Sequence, residues 1–134
     1  MSAAERFFDT NVLLYLLSDE EAKADVAEAE LAKGGVVSVQ ILNEFAAVAS
    51  RKLKMSVAEI REVEEAIRAV CRVVPLTEET HDRGLQIMDR YGLSLYDAMI
   101  VASALLAGCA IILSEDMQNG MRFDGLTGIR NPFR

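Results

Sequence analysis

The stretch FFDTNVLLYLLSD, Phe7 to Asp19, decides how the chain is read. Phe7 and Phe8 lead a short apolar run of the kind that enters a core as a strand. The run stops on Asp9, and after Thr10 the segment NVLLYLL starts a helix at once. A carboxylate at the mouth of a buried strand has two readings. It caps the helix that follows, or it opens onto a ligand site.

Working outward, the same alternation of strand and helix repeats. Ala22 to Lys33 is rich in Ala and Glu, which favours helix, and Gly34-Gly35 stops it. Val36 to Ser38 is then a short strand. From Val39 to Leu53 the apolar residues Ile41, Leu42, Phe45, Val48, Ala49 and Leu53 recur at helical spacing. Ser56 with Glu59 makes a capping box for another helix, whose buried stripe is Ile60, Val63, Ile67 and Val70. Arg72 to Leu76 predicts a third strand, and Thr77 caps a helix that runs to Tyr91 before Gly92. Ser94 caps LYDAMIVASALLA, a helix apolar nearly all round and hence buried. Gly108 ends it, Ala110 to Leu113 reads as a central strand, and Arg122 to Ile129 predicts one last short edge strand. Short apolar strands alternating with helices define the α/β class. The expected architecture is a three-layer α/β/α sandwich around a short-stranded, mainly parallel central sheet.

At 134 residues, 51% hydrophobic and 26% charged, without repeats or low-complexity segments, residues 1–134 are expected to form a single domain. The start MSAAERFF lacks the basic and apolar regions of a secretory signal. The uncharged run from Ala98 to Ser114 is shorter than the ~20 residues a spanning helix needs. Cys71 and Cys109 lack metal-ligand spacing and read as small buried hydrophobes in a reducing, cytoplasmic setting, with no membrane association. The net charge of -7 counts against a groove-reading DNA binder. It leaves room for an enzyme that meets phosphates through metal ions.

In a parallel sheet, ligands sit in the crevice beyond the carboxyl ends of the strands. Asp9 follows one strand there, and Asp116 follows another, just after AIILS. For Asp116 the plainer reading is a turn residue in SEDMQNG. Asp97 is the one acid in an otherwise apolar helix start, where the helix dipole alone could favour it. Glu44 shares a stripe with Gln40, Ala47 and Arg51, which suits either a solvent-facing side chain or a ligand. Should the four acids converge, each pair at ~4 Å would repel by about 4 kcal/mol at an effective dielectric near ~20. A divalent cation resolves that repulsion, and oxygen donors without His or Cys select Mg²⁺ or Mn²⁺. A water on such an ion can attack a phosphodiester.

FFDTN, NEF, LYDAMIVASA and ILSEDMQNG, taken in order, resemble the PIN-domain ribonucleases, specifically the VapC-like toxins of toxin-antitoxin pairs. The resemblance implies a PIN-like fold and Mg²⁺- or Mn²⁺-dependent endoribonuclease activity. It implies Asp9, Glu44, Asp97 and Asp116 as catalytic acids. Asp9, Asp97 and Asp116 would hold the metal and Glu44 would orient the attacking water, with Thr10, Asn11 and Ser114 in support. It also implies an RNA substrate, a homodimer and an antitoxin partner. Some relatives carry a further acid where this chain has Asn119, which bears on a second ion. Arg51, Lys52 and Lys54 are the densest basic cluster, at a solvated helix end within reach of RNA phosphates.

Two rival readings stand beside it. A haloacid-dehalogenase-type phosphatase would need DxD after the first strand, and Asn11 occupies the second place. A binding or regulatory module of the same shape would keep the fold without cleaving RNA.

Overall fold

The computed structural model describes residues 5–134; Met1 to Ala4, where the reading of a missing secretory signal partly rests, lie outside the described residues. Strand β1 (Arg6–Phe8) passes directly into helix α1 (Thr10–Leu14) and a 3-10 turn (Tyr15–Leu17). Helix α2 (Glu21–Ala32), strand β2 (Gly35–Ser38), helix α3 (Val39–Arg51), helix α4 (Val57–Val70) and strand β3 (Cys71–Val74) follow. Helices α5 (Glu78–Tyr91) and α6 (Leu95–Leu106) then lead to strands β4 (Ile111–Leu113), β5 (Arg122–Phe123) and β6 (Thr127–Arg130).

The caps read from the sequence are present. Ser56 and Glu59 form their capping box, Thr77 and Ser94 accept the third backbone N–H of their helices, and Gly92 closes α5 in the left-handed region. Pro75, which lacks an N–H, follows β3 immediately. The strand accordingly stops at Val74, short of the expected Leu76.

The strands form one sheet in the order β3-β2-β1-β4-β6-β5, parallel throughout except for β5, which runs antiparallel to β6. Phe7 lies opposite Val36 on one side and Ile112 on the other. Neighbouring residues of a strand point to opposite faces. Phe7 and Phe8 are both fully buried, as are Val36 with Val37 and Ile112 with Leu113. Both faces of the sheet are therefore covered, which is the three-layer α/β/α arrangement. Each such side chain stabilises the fold by about 1.5–3 kcal/mol.

Three expectations are corrected. The segment from Arg122 to Ile129 holds two strands, not one, because a left-handed Asp124 and Gly125 fold it back as a tight hairpin. Helix α6 is buried only in its middle, and Leu95, Tyr96 and Leu106 remain exposed. A 12-residue helix is ~18 Å long and outruns the 3-residue strand β4, of ~10 Å. Leu53 and Val70, expected on apolar helix faces, are also exposed. Leu53 lies beyond Arg51, where α3 ends, and Val70 is the last residue of α4. Cys71 and Cys109 are free and buried, as expected.

Candidate active site

Asp9 ends β1 and serves as the N-cap of α1, its Oδ1 accepting the Thr10 N–H at 2.7 Å. Its second oxygen, Oδ2, accepts from Ser114 Oγ at 2.8 Å and from Asn11 Nδ2 at 3.1 Å. The capping and site readings are thus satisfied by two different oxygens of one carboxylate. Ser114 stands fully buried just after β4, and its Oγ also accepts the Met117 N–H. Both strand ends are stitched together by this pair. Asn11 reaches further: its Nδ2 donates to Asp116 Oδ2, also at 3.1 Å, and its Oδ1 accepts the Glu115 N–H.

Glu44 arrives from α3. Thr10 Oγ1 donates to its Oε1 at 2.7 Å, and Gln40 Nε2 donates to its Oε2 at 3.2 Å. Gln40 also donates to the Tyr96 carbonyl, which ties α3 to the first turn of α6. Asp97 stands in that turn, where the Ser94 side chain accepts its N–H. Asp9, Thr10, Asn11, Glu44, Asp97 and Asp116 all line one cavity of about 350 Å³, together with Arg51. Of the basic cluster only Arg51 reaches it. Ser114 sits behind the cavity wall and acts through Asp9.

The acids act on one another. Burial pushes the Asp9 carboxyl up to about 6; the Ser114 and Thr10 hydrogen bonds oppose the rise, and the charges of Asp97 and Glu44 add to it. Asp97 is likewise raised, first by burial, against the Ser94 hydrogen bond and with the charges of Asp116 and Glu44. The four carboxylates therefore form one electrostatic group.

Their donor chemistry suits a hard divalent cation. Among the described residues no group of three or more His, Cys, Asp or Glu side chains is placed so as to hold a metal ion by itself. Mg²⁺ does not require one, since it keeps several waters and takes only one or two carboxylates directly. The oxygen donors present match such an ion in kind.

Two residues escaped the sequence reading. Gln40, buried beneath Glu44, was visible only as a member of the stripe shared with Glu44. Lys23 packs beside the Asp116 turn from α2, and nothing in its helical, charged surroundings signals that placement. Asn119 is engaged elsewhere, its Oδ1 accepting the Asn131 N–H at 2.9 Å.

A mainly parallel α/β domain with carboxylates gathered at the carboxyl ends of β1 and β4 belongs to a recognisable class of folds. Residues 6–119 match the PIN domain family model, and the chain belongs to the PIN domain family. No curated protein matches it. Among solved structures, a toxin-antitoxin complex from Klebsiella pneumoniae is 22% identical with a TM-score of 0.69, covering 95% of this chain and 97% of that one. VapC20 of Mycobacterium tuberculosis, a toxin that cleaves the sarcin-ricin loop, is 21% identical with a TM-score of 0.67, covering 83% and 89%. FitAcB from Neisseria gonorrhoeae is 18% identical with a TM-score of 0.66, covering 96% and 98%. At these identities the likeness is one of fold.

Proposed function

We propose that the chain is a metal-dependent endoribonuclease that hydrolyses RNA phosphodiester bonds as the toxin of a toxin-antitoxin pair. One observation carries this reading: acids from four separate elements, the end of β1, α3, α6 and the segment after β4, line one cavity. Family membership and the fold shared with VapC20 and with a toxin-antitoxin complex support it.

Asp9, Asp97 and Asp116 would hold Mg²⁺ or Mn²⁺, and the bound ion supplies positive charge and a water of lowered pKa. Thr10 and Gln40 fix both oxygens of Glu44, and a carboxylate oxygen that takes one donor still has capacity to accept from the attacking water. Asn11 and Ser114 keep Asp9 and Asp116 in register. Arg51, on the cavity wall, offers its guanidinium to a substrate phosphate.

A groove lined by Leu76, Leu95, Tyr96 and Met99 adjoins the acid cavity through Glu44 and Ala47. Such exposed apolar surface supports a homodimer, and the acidity of the chain suits a basic segment of an antitoxin. Among the described residues no helix is long and apolar enough to cross a membrane, in keeping with a proposed cytoplasmic location.

The test is cleavage of labelled RNA with Mg²⁺ or Mn²⁺ by the parent, Asp9→Asn and Asp97→Asn. Cleavage by the parent alone is expected. Equal cleavage by all three, or none by any across varied substrates, would overturn the assignment in favour of a binding module.

A further inference from the structure

Asp116 is exposed, and among the described residues it takes a single side-chain hydrogen bond, from Asn11. Its neighbour Glu115 is far more tightly held, and it faces the other way. Tyr15 Oη donates to Glu115 Oε1 at 2.6 Å, and Lys23 Nζ donates to Glu115 Oε2 at 2.8 Å and to Tyr15 Oη at 3.0 Å. The three side chains close a triangle in which every member touches the other two. Lys23 also lies over the rings of Tyr15, at 4.6 Å, and Phe133, at 5.5 Å, and those rings pack edge to face at 4.7 Å. The Glu115 backbone N–H meanwhile donates to Asn11 Oδ1. Glu115 is thus fastened at its side chain and at its main chain, one residue before Asp116.

We propose that Tyr15 and Lys23 are positioning residues: by gripping Glu115 they fix the turn after β4 and so hold Asp116 over the cavity shared with Asp9 and Asp97. The inference rests on the metal-binding reading of that cavity. It extends the working site outward, through the 3-10 turn after α1 and through α2, to residues that do not line the cavity.

Charge alone makes a competing forecast, and the two differ in sign. Lys23 is a cation near an acidic cavity, so through-space electrostatics predicts that Lys23→Met, by relieving repulsion, tightens binding of a divalent ion, while Glu115→Gln, by losing attraction, weakens it. Positioning predicts that both weaken it. The experiment is calorimetric titration of the metal-free full chain with Mn²⁺, paired with NMR amide exchange at Glu115. Lys23→Met and Glu115→Gln are each expected to bind Mn²⁺ roughly tenfold more weakly, the lower end for residues that orient ligands. Their double variant should be no worse than either single variant. Lys23→Arg should restore binding, and Arg90→Gln, which breaks a distant ion pair with Asp124, should leave it unchanged.

Faster exchange at Glu115 in both variants, with weaker Mn²⁺ binding, supports the proposal. Tighter binding by Lys23→Met, or unaltered exchange in Glu115→Gln, overturns it. A parent chain that binds no Mn²⁺ sinks the metal reading instead, and the exchange measurement still decides whether the triangle holds the turn.

Discussion

One amide spans the first and last acids of the cavity: Asn11 Nδ2 lies 3.1 Å from an oxygen of Asp9 and 3.1 Å from an oxygen of Asp116. The orientation of that amide is set by the Glu115 N–H, which only an oxygen can accept. Asn11→Asp replaces the donor with a fifth carboxylate. RNA cleavage by that variant should fall at least ~10-fold, and more steeply at low Mg²⁺ than at high, the signature of impaired metal affinity. A Mg²⁺ titration of initial rates checks it.

The raised carboxyls make stability depend on pH in a definite direction. Asp9, only 5% exposed, is pushed from 3.8 to about 6, so between those values the folded chain binds a proton that the unfolded chain releases. Its contribution to stability therefore declines as pH rises from about 4 to about 6, by about 3 kcal/mol, and Asp97 adds in the same sense. Glu30 and Asp124, whose carboxyls are held low, act oppositely but below the usual carboxylate range. In chelator, the metal-free parent should melt at a higher temperature at pH 5 than at pH 7. Asp9→Asn should lose most of that difference.

Addition of Mn²⁺ at pH 7 should raise the melting temperature of the parent, because an ion bound only by the folded state stabilises it. At ~100 times the dissociation constant the gain is about 2.7 kcal/mol. Asp97→Asn should show little or none of it. Scanning calorimetry with and without the ion reads the difference directly.

A second charged cluster, one carboxylate among three cations, is structural. Glu30, 5% exposed, takes hydrogen bonds from Arg6 at 2.9 Å, Lys33 at 3.0 Å and Arg130 at 2.9 Å, joining α2 to the first and sixth strands. Burial works against its charge, and the three cations more than offset that, leaving its pKa below the ordinary value. Glu30→Ala would strand the largely buried Arg6 guanidinium and should cost about 3–5 kcal/mol in urea unfolding. RNA cleavage per folded molecule should be unaffected at low temperature.

Gly35 opens β2 where a side chain has no room. A Cβ there would press on the Arg6 carbonyl oxygen and lie 2.7 Å from the Phe8 ring. The obstacle is partly backbone, which cannot swing aside. Gly35→Ala should therefore destabilise by about 1–3 kcal/mol or more, seen as a lowered urea midpoint.

Much of this architecture was legible because local signals agreed. Ser56 with Glu59, Thr77, Ser94 and Gly92 announce helix boundaries through chemistry that acts over a few residues. Continuous apolar runs such as Ile111–Leu113 announce a sheet covered on both faces. Asp9 and Asp116 stood out because each follows such a run, at the ends where parallel sheets bind ligands. Glu44 did not, since its stripe suited solvent equally well, and only packing against Thr10 and Gln40 shows which way it turns. The hairpin at Arg122–Arg130 was missed because two residues are too few to give strand periodicity. Lys23 was invisible for a simpler reason: its partner Glu115 is 92 residues away.

The short reversed strand β5 bears on how the chain keeps to itself. It covers the outer flank of β6 with only Arg122 and Phe123, while the opposite rim, β3, carries a charged arginine at its second position. Neither border offers a long bare ladder on which another molecule could polymerise. A homodimer of the kind proposed would have to form on helical surfaces, where association is finite and reversible rather than fibrous.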